Sequence, residues 1–181
     1  MGRTPGVATL RGRLLPVGPG LVTAPLVPAN DAGMGGGADG GNRGGSEEII
    51  GRALEGRRDQ IVLATKFGHD LDDGETARGA RPSIRKAVEA SLRRLQTDRI
   101  DLYQYHRPDG VTPLEETLEA LHELVEAGTV RAIGSSNFTP AMVEEAAAIA
   151  AERGLAPVVA EQSQYSGLRR GAEDELLPTC E

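Results

Sequence analysis

The stretch that most constrains this chain is Arg99 to Pro108, R-I-D-L-Y-Q-Y-H-R-P. A short apolar run rich in β-branched and aromatic residues reads as a buried strand. It ends on His106 and turns at once through Pro108 and Asp109. From Ser46 onward the chain repeats this design: a short strand, a loop carrying polar residues, then an amphipathic helix. Strands that alternate with helices form right-handed β-α-β units, and such units build a parallel sheet. The chemistry of parallel α/β folds lies at the carboxyl ends of their strands, where His106 falls.

Four strands are predicted, over Gln60–Thr65, the run ending at His106, Val130–Gly134 and Pro157–Gln162. A first helix starts at Ser46 as its cap, carries Glu47 and Glu48 at its positive end, and buries Ile49, Ile50, Ala53 and Leu54. A second spans about Ser83 to Leu95, with Ile84, Val88, Leu92 and Leu95 on one stripe. The third is capped by Thr112, turns Leu114, Leu118, Leu121 and Val125 inward, and closes at Gly128. The fourth opens at Thr139–Pro140 and runs to Gly154, and a last helix covers Ala172–Cys180. Alternation alone admits a doubly wound open sheet or a closed (β/α) barrel.

Residues 1–45 differ from the rest. They hold 13 of the 24 glycines and no aromatic residue, the first being Phe67. The run Asp31–Gly45 has too little apolar surface to offset its backbone entropy. Leu14–Val17 and Leu21–Val27 are at most poor strands, given prolines at 16, 19, 25 and 28. A phosphate loop is excluded, because no G-x-G-x-x-G follows a good strand and no G-K-[ST] occurs. The chain thus divides into a Gly/Pro-rich segment, 1–45, and an ordered α/β region, 46–181.

A net charge of −7 argues against nucleic acid and anionic membranes as partners. The lone cysteine, Cys180, provides neither a disulfide framework nor a metal motif. No apolar run reaches membrane-spanning length and no signal core is present. The expectation is a cytoplasmic protein; its oligomeric state is not readable.

Four strand ends carry polar groups that a parallel sheet gathers on one side: Lys66, His106, the Ser136–Asn137 pair and Gln162. His69 and His122 read as bystanders, one in a polar loop and one on a helix face.

The blocks A-T-K-F-G, S-L-R-R-L-Q-T-D-R-I-D-L-Y-Q-Y-H-R-P-D and V-R-A-I-G-S-S-N-F resemble the aldo-keto reductase family. The resemblance runs from Ser46 to the last residue, about three quarters of the chain. It implies a (β/α)8 TIM barrel, an NADP(H) cofactor bound without a glycine fingerprint, and small aldehydes or ketones as substrates. It also implies roles: Lys66 lowers the pKa of a catalytic tyrosine, and His106 orients and polarises the substrate carbonyl. Ser136, Asn137 and Gln162 hold the nicotinamide carboxamide.

Two departures stand against that pattern. The family's acid is a tyrosine in a D-T-A-x-x-Y-G block shortly before the S-E-E helix, yet this chain has no tyrosine before Tyr103. Counted without gaps, Gly41 stands at the tyrosine position and Gly36 at that of the aspartate supporting the lysine. Tyr103 and Tyr105 share a face opposite to that of His106 and so cannot replace it. Second, a barrel of this class takes about 250 residues, so the sequence implies a partial barrel lacking its last two units. The expectations are an open sheet prone to aggregation, weak NADP(H) binding and an impaired copy of the enzyme. The alternative is a non-catalytic relative shaped like the β subunits of potassium channels. The composition of residues 1–45 fits GC-rich coding sequence read out of frame or badly diverged. Translation of the other two frames tests this by whether F-D-T-A-x-x-Y-G appears.

Overall fold

The computed structural model describes residues 8–9, 44–69 and 74–181. The poor strands considered at Leu14–Val17 and Leu21–Val27 lie outside the described residues. A two-residue strand, β1 (Ala8–Thr9), is followed by α1 (Gly45–Ala53), β2 (Ala64–Phe67) and α2 (Arg81–Leu95). Next come β3 (Ile100–Tyr105), α3 (Leu114–Glu126), β4 (Val130–Ser136), α4 (Pro140–Arg153), β5 (Val158–Gln162) and α5 (Leu176–Cys180). The sheet order is β1-β5-β4-β3-β2. β2 to β5 are parallel, and β1 pairs antiparallel with β5. The strand-helix alternation therefore builds an α/β sheet consistent with part of a (β/α)8 barrel, and among the described residues that sheet is not closed.

Each face of the sheet has its own layer. Tyr103, Ile133, Phe67 and Leu63 pack beneath Ile84, Val88, Leu118 and Leu121 of the helices, all nearly inaccessible to solvent. The opposite face carries a small cluster of Ala64, Leu102, Ala132 and Ala160. Strand alternation explains the division, since residues two apart share a face. Continuing each inner row toward the carboxyl ends leads from Ala64 to Lys66, from Leu102 through Gln104 to His106, from Ala132 to Ser136, and from Ala160 to Gln162. The inner surface is small and apolar below and polar above.

Helix α1 corrects the predicted stripe. Gly44, with φ 99°, occupies the cap position assigned to Ser46, and Ile49 is 58% exposed. Ala53 is exposed too, whereas Leu54 is buried in the core and Ile50 packs against it as expected. The buried positions within the helix itself are small or acidic: Gly45, Glu47 and Gly51. A Cβ on Gly51 would stand 2.5 Å from the Arg94 carbonyl oxygen, so glycine lets α1 lie against the end of α2. Helix α3 begins after Pro113, and Thr112 hydrogen-bonds Asp109 rather than capping it. Thr139 does cap α4, accepting from the Met142 amide at 3.3 Å. The predicted Ala172–Cys180 helix is a 3-10 turn over Gly171–Glu173 followed by the short α5.

The predicted strand Gln60–Thr65 lies further along. Gln60 closes a 3-10 turn, Leu63 donates its amide to the Asp101 side chain at 2.9 Å, and pairing with β3 starts at Ala64. Arg58 and Arg131 bridge to the same carboxylate at 2.8 and 3.0 Å, so the foot of the sheet is pinned by side chains. Lys66 consequently sits inside β2 rather than after it.

Candidate active site at the carboxyl ends of the strands

β2 places Lys66 beside Gln104 of β3, and the lysine is 6% exposed. His106 follows β3 directly, its amide donating to the Phe67 carbonyl at 2.8 Å and so extending the β2–β3 ladder by one bond. At the end of the neighbouring strand β4, Asn137 donates from Nδ2 to the His106 carbonyl at 2.8 Å and to Ser136 Oγ at 3.1 Å. Ser136 Oγ donates in turn to the Gln162 carbonyl at 2.8 Å, and the Asn137 amide donates to that same carbonyl at 3.2 Å. Asn137 holds φ 59°, a left-handed conformation that a non-glycine residue keeps only when its surroundings fix it. His106, Ser136, Asn137 and Gln162 thus form one hydrogen-bonded chain across β3, β4 and β5, and Lys66 lies on the same face at the strand beyond. Gln162 Oε1 is buried with no hydrogen-bond partner among the described residues.

The two tyrosines of β3 turn away from this face. Tyr103 and Tyr105 lie in the helix-side core, stacked on Phe67 at 4.9 and 4.7 Å between ring centroids. Burial raises both phenols well above the usual range. Tyr105 also accepts the Asp109 amide at 2.9 Å. Asp109 locks the turn after His106: Oδ2 accepts from Gly79 N and Thr112 Oγ1, each at 2.7 Å, and Oδ1 from the amides of Val111 and Thr112 at 2.9 and 2.8 Å. Burial pushes this carboxyl up, but the donors of Thr112, Gly79 and Val111 outweigh it and hold it below the ordinary value.

His69 is not the bystander the sequence suggested. Its ring stacks on that of His106, centroids 3.8 Å apart and planes 8° from parallel. Gly68, with φ 83°, makes the turn that brings it there, and a Cβ at Gly68 would stand 2.5 Å from Tyr105 Cε2. The available signal was the glycine between the end of a strand and a histidine. Replacing Gly68 by alanine is expected to cost about 2–4 kcal/mol, from the positive φ together with the clash. Urea unfolding at neutral pH measures it, and a variant within 0.5 kcal/mol of wild type would refute the account. His122 does match its structural reading: Nδ1 accepts the Ala156 amide at 3.1 Å, far from this face.

A parallel α/β sheet whose inner face ends in lysine, histidine, serine and two amides has the layout of a barrel enzyme's mouth. The comparison with known proteins makes this specific: residues 42–181 match the Aldo/keto reductase family. The chain belongs to that family, whose members use nicotinamide cofactors on small carbonyl compounds. It is 45% identical over 138 residues to "Aldo-keto reductase YhdN" of Bacillus subtilis (strain 168), covering 75% of this chain and 40% of that protein. It is 44% identical over 149 residues to "Uncharacterized oxidoreductase YrpG" of the same organism, covering 78% of this chain and 46% of that one. The chain therefore spans less than half the length of either relative. Among the described residues, no helix is long and apolar enough to cross a membrane.

Proposed function

We propose that this chain takes NADP(H) at the carboxyl ends of β3–β5 and reduces small aldehydes or ketones to alcohols, slowly. The observation that carries this reading is the chain of hydrogen bonds from His106 through Asn137 and Ser136 to the Gln162 backbone carbonyl, together with the Gln162 side-chain Oε1, buried with no partner among the described residues. A nicotinamide carboxamide offers two N–H donors and one acceptor, which a glutamine side chain complements with its own oxygen and NH2. Gln162 would hold that group, with Ser136 and Asn137 bracing it. When bound, the dinucleotide supplies the hydride.

The protein's part is orientation and charge. His106 faces the substrate oxygen with its backbone fixed on both sides. His69 keeps the imidazole from rotating by stacking on it. Lys66 places a buried cation on the same face, where developing negative charge on oxygen is stabilised most strongly. Tyr103 and Tyr105 turn away from that face, which favours a second reading in which the chain binds the dinucleotide without turnover.

Fluorescence titration with NADPH tests the site. Gln162→Leu is expected to weaken binding by about tenfold, because the carboxamide is left without its partner. Equal affinities for wild type and variant would remove the ring from this position.

A further inference from the structure

β5 sends two neighbouring polar side chains to opposite faces of the sheet. Gln162 points to the inner face, while Glu161 lies on the helix side at 2% exposure. No ion pair to Glu161 is present among the described residues. Its Oε1 accepts the Phe138 amide at 3.3 Å and Ser163 Oγ at 2.9 Å, and among the described residues Oε2 is buried without a partner. Burial pushes the carboxyl up, opposed in part by the hydroxyls and backbone amides around it. A buried, unpaired carboxylate is a poor choice for stability alone.

Its placement is also built. Between Ile133 and Ser135 the β4–β5 register shifts, with Ile133 opposite Val158 but Ser135 opposite Glu161. The extra residue on β5 leaves both Val159 and Ala160 against the small inner cluster. Bulges of this kind re-aim side chains beside functional sites. Here the shift sets Glu161 against Ser135 and Gln162 against Ser136.

We propose that Glu161 is a positioning residue that clasps the turn after β4 to the segment after β5 and so fixes Asn137 and Gln162 before a ligand arrives. The inference rests on the reading that Ser136, Asn137 and Gln162 receive a nicotinamide ring. Glu161 acts from behind the sheet and touches no ligand. It grips the N–H that follows Asn137 and the hydroxyl that follows Gln162, so the left-handed Asn137 and the glutamine are held from one point.

The test uses the full chain and two probes, NADPH and 2′,5′-ADP, the second lacking the nicotinamide ring. The readout is the ratio of the two affinities, which a general loss of folded protein does not move. Glu161→Leu is expected to shrink that ratio by about tenfold, since two donors lose a charged acceptor. Glu161→Gln keeps an oxygen toward Phe138 and Ser163 and should recover most of it, leaving about a threefold deficit. It also carries the test if the leucine variant fails to fold. Variants that keep the wild-type ratio would overturn the role of Glu161 and leave the ring site standing. A wild type that does not distinguish the two probes would instead overturn the ring site, and the inference with it.

Discussion

Glu47→Ala is expected to destabilise the fold by about 3–5 kcal/mol, because removing one member of a buried charged network strands the others. The Glu47 carboxylate is 0% exposed. It accepts Thr65 Oγ1 at 2.6 Å on one oxygen, and Arg94 Nε and Nη2 on the other, each at 2.6 Å. Three elements meet there: α1, β2 and α2. Without the carboxylate the Thr65 hydroxyl, 1% exposed, has lost its acceptor inside the core. The Arg94 side chain is 31% exposed and recovers water in part, which places the expectation toward the lower end of the range. The neighbouring Glu48 is exposed, and its alanine variant should stay within about 0.5 kcal/mol of wild type. Chemical denaturation of both variants at neutral pH, with a double-mutant cycle against Arg94→Met, measures the contribution. A Glu47→Ala chain as stable as the Glu48 control would contradict it. Surface pairs such as Arg85 with Glu123 at 2.9 Å are exposed on both partners and contribute little by comparison.

Glu47 also shows where the sequence misleads. Two acids after a serine read as a helix start with charges in water, and Ile49, Ile50, Ala53 and Leu54 read as the buried stripe. Periodicity assumes that the inward face is the apolar one. Helix α1 turns glycines and a paired carboxylate toward α2, whose close approach leaves no room for a side chain at Gly51. Leu54 and Ile50 keep the core contact the spacing predicts, and Ile49 does not. For the longer helices the assumption holds. Ile84, Val88 and Leu95 of α2, and Leu118 and Leu121 of α3, are buried as the spacing requires.

The four parallel strands were legible because apolar runs alternate with helices over the whole region, whereas the two-residue antiparallel strand β1 was not. The β2 boundaries were not. A lysine reads as the end of a buried strand, yet in a sheet whose upper inner face is polar Lys66 belongs inside it. Periodicity could not show the β4–β5 shift either. One extra residue has no signature in composition, and it decides which of Glu161 and Gln162 faces the inner layer. The His69–His106 stack was hidden for another reason. It depends on a three-dimensional turn at Gly68, and a histidine in a polar loop has no periodic partner to reveal it. The convergence of Lys66, His106, Ser136, Asn137 and Gln162 needed only the rule that parallel strands end on one side, and they do meet there.

Carbonyl reduction by this chain is expected to run about 10²- to 10⁴-fold slower than in a relative that carries the family's tyrosine, the range a positioned acid contributes. The chain's 3 tyrosines do not fill the role. Tyr103 and Tyr105 belong to the helix-side core, with phenols made weaker acids by burial, and Tyr165 hydrogen-bonds Glu173 beyond the end of β5. Among the described residues, the inner face offers the imidazole of His106, backed by His69, with the Lys66 cation near it. On the reading proposed above, donation to the substrate oxygen falls to His106, so His106→Phe should remove most of the residual rate while NADPH affinity changes little. The phenylalanine keeps a flat ring against His69 and leaves the backbone bonds to Phe67 and Asn137 in place. Steady-state assays of purified wild type, His106→Phe and a tyrosine-bearing relative, on one aldehyde at saturating NADPH, decide the matter. Wild-type turnover within tenfold of the relative would mean that another group supplies the proton. An unchanged rate in His106→Phe would remove the imidazole from the reaction and turn attention to Lys66, the charged donor beside it among the described residues.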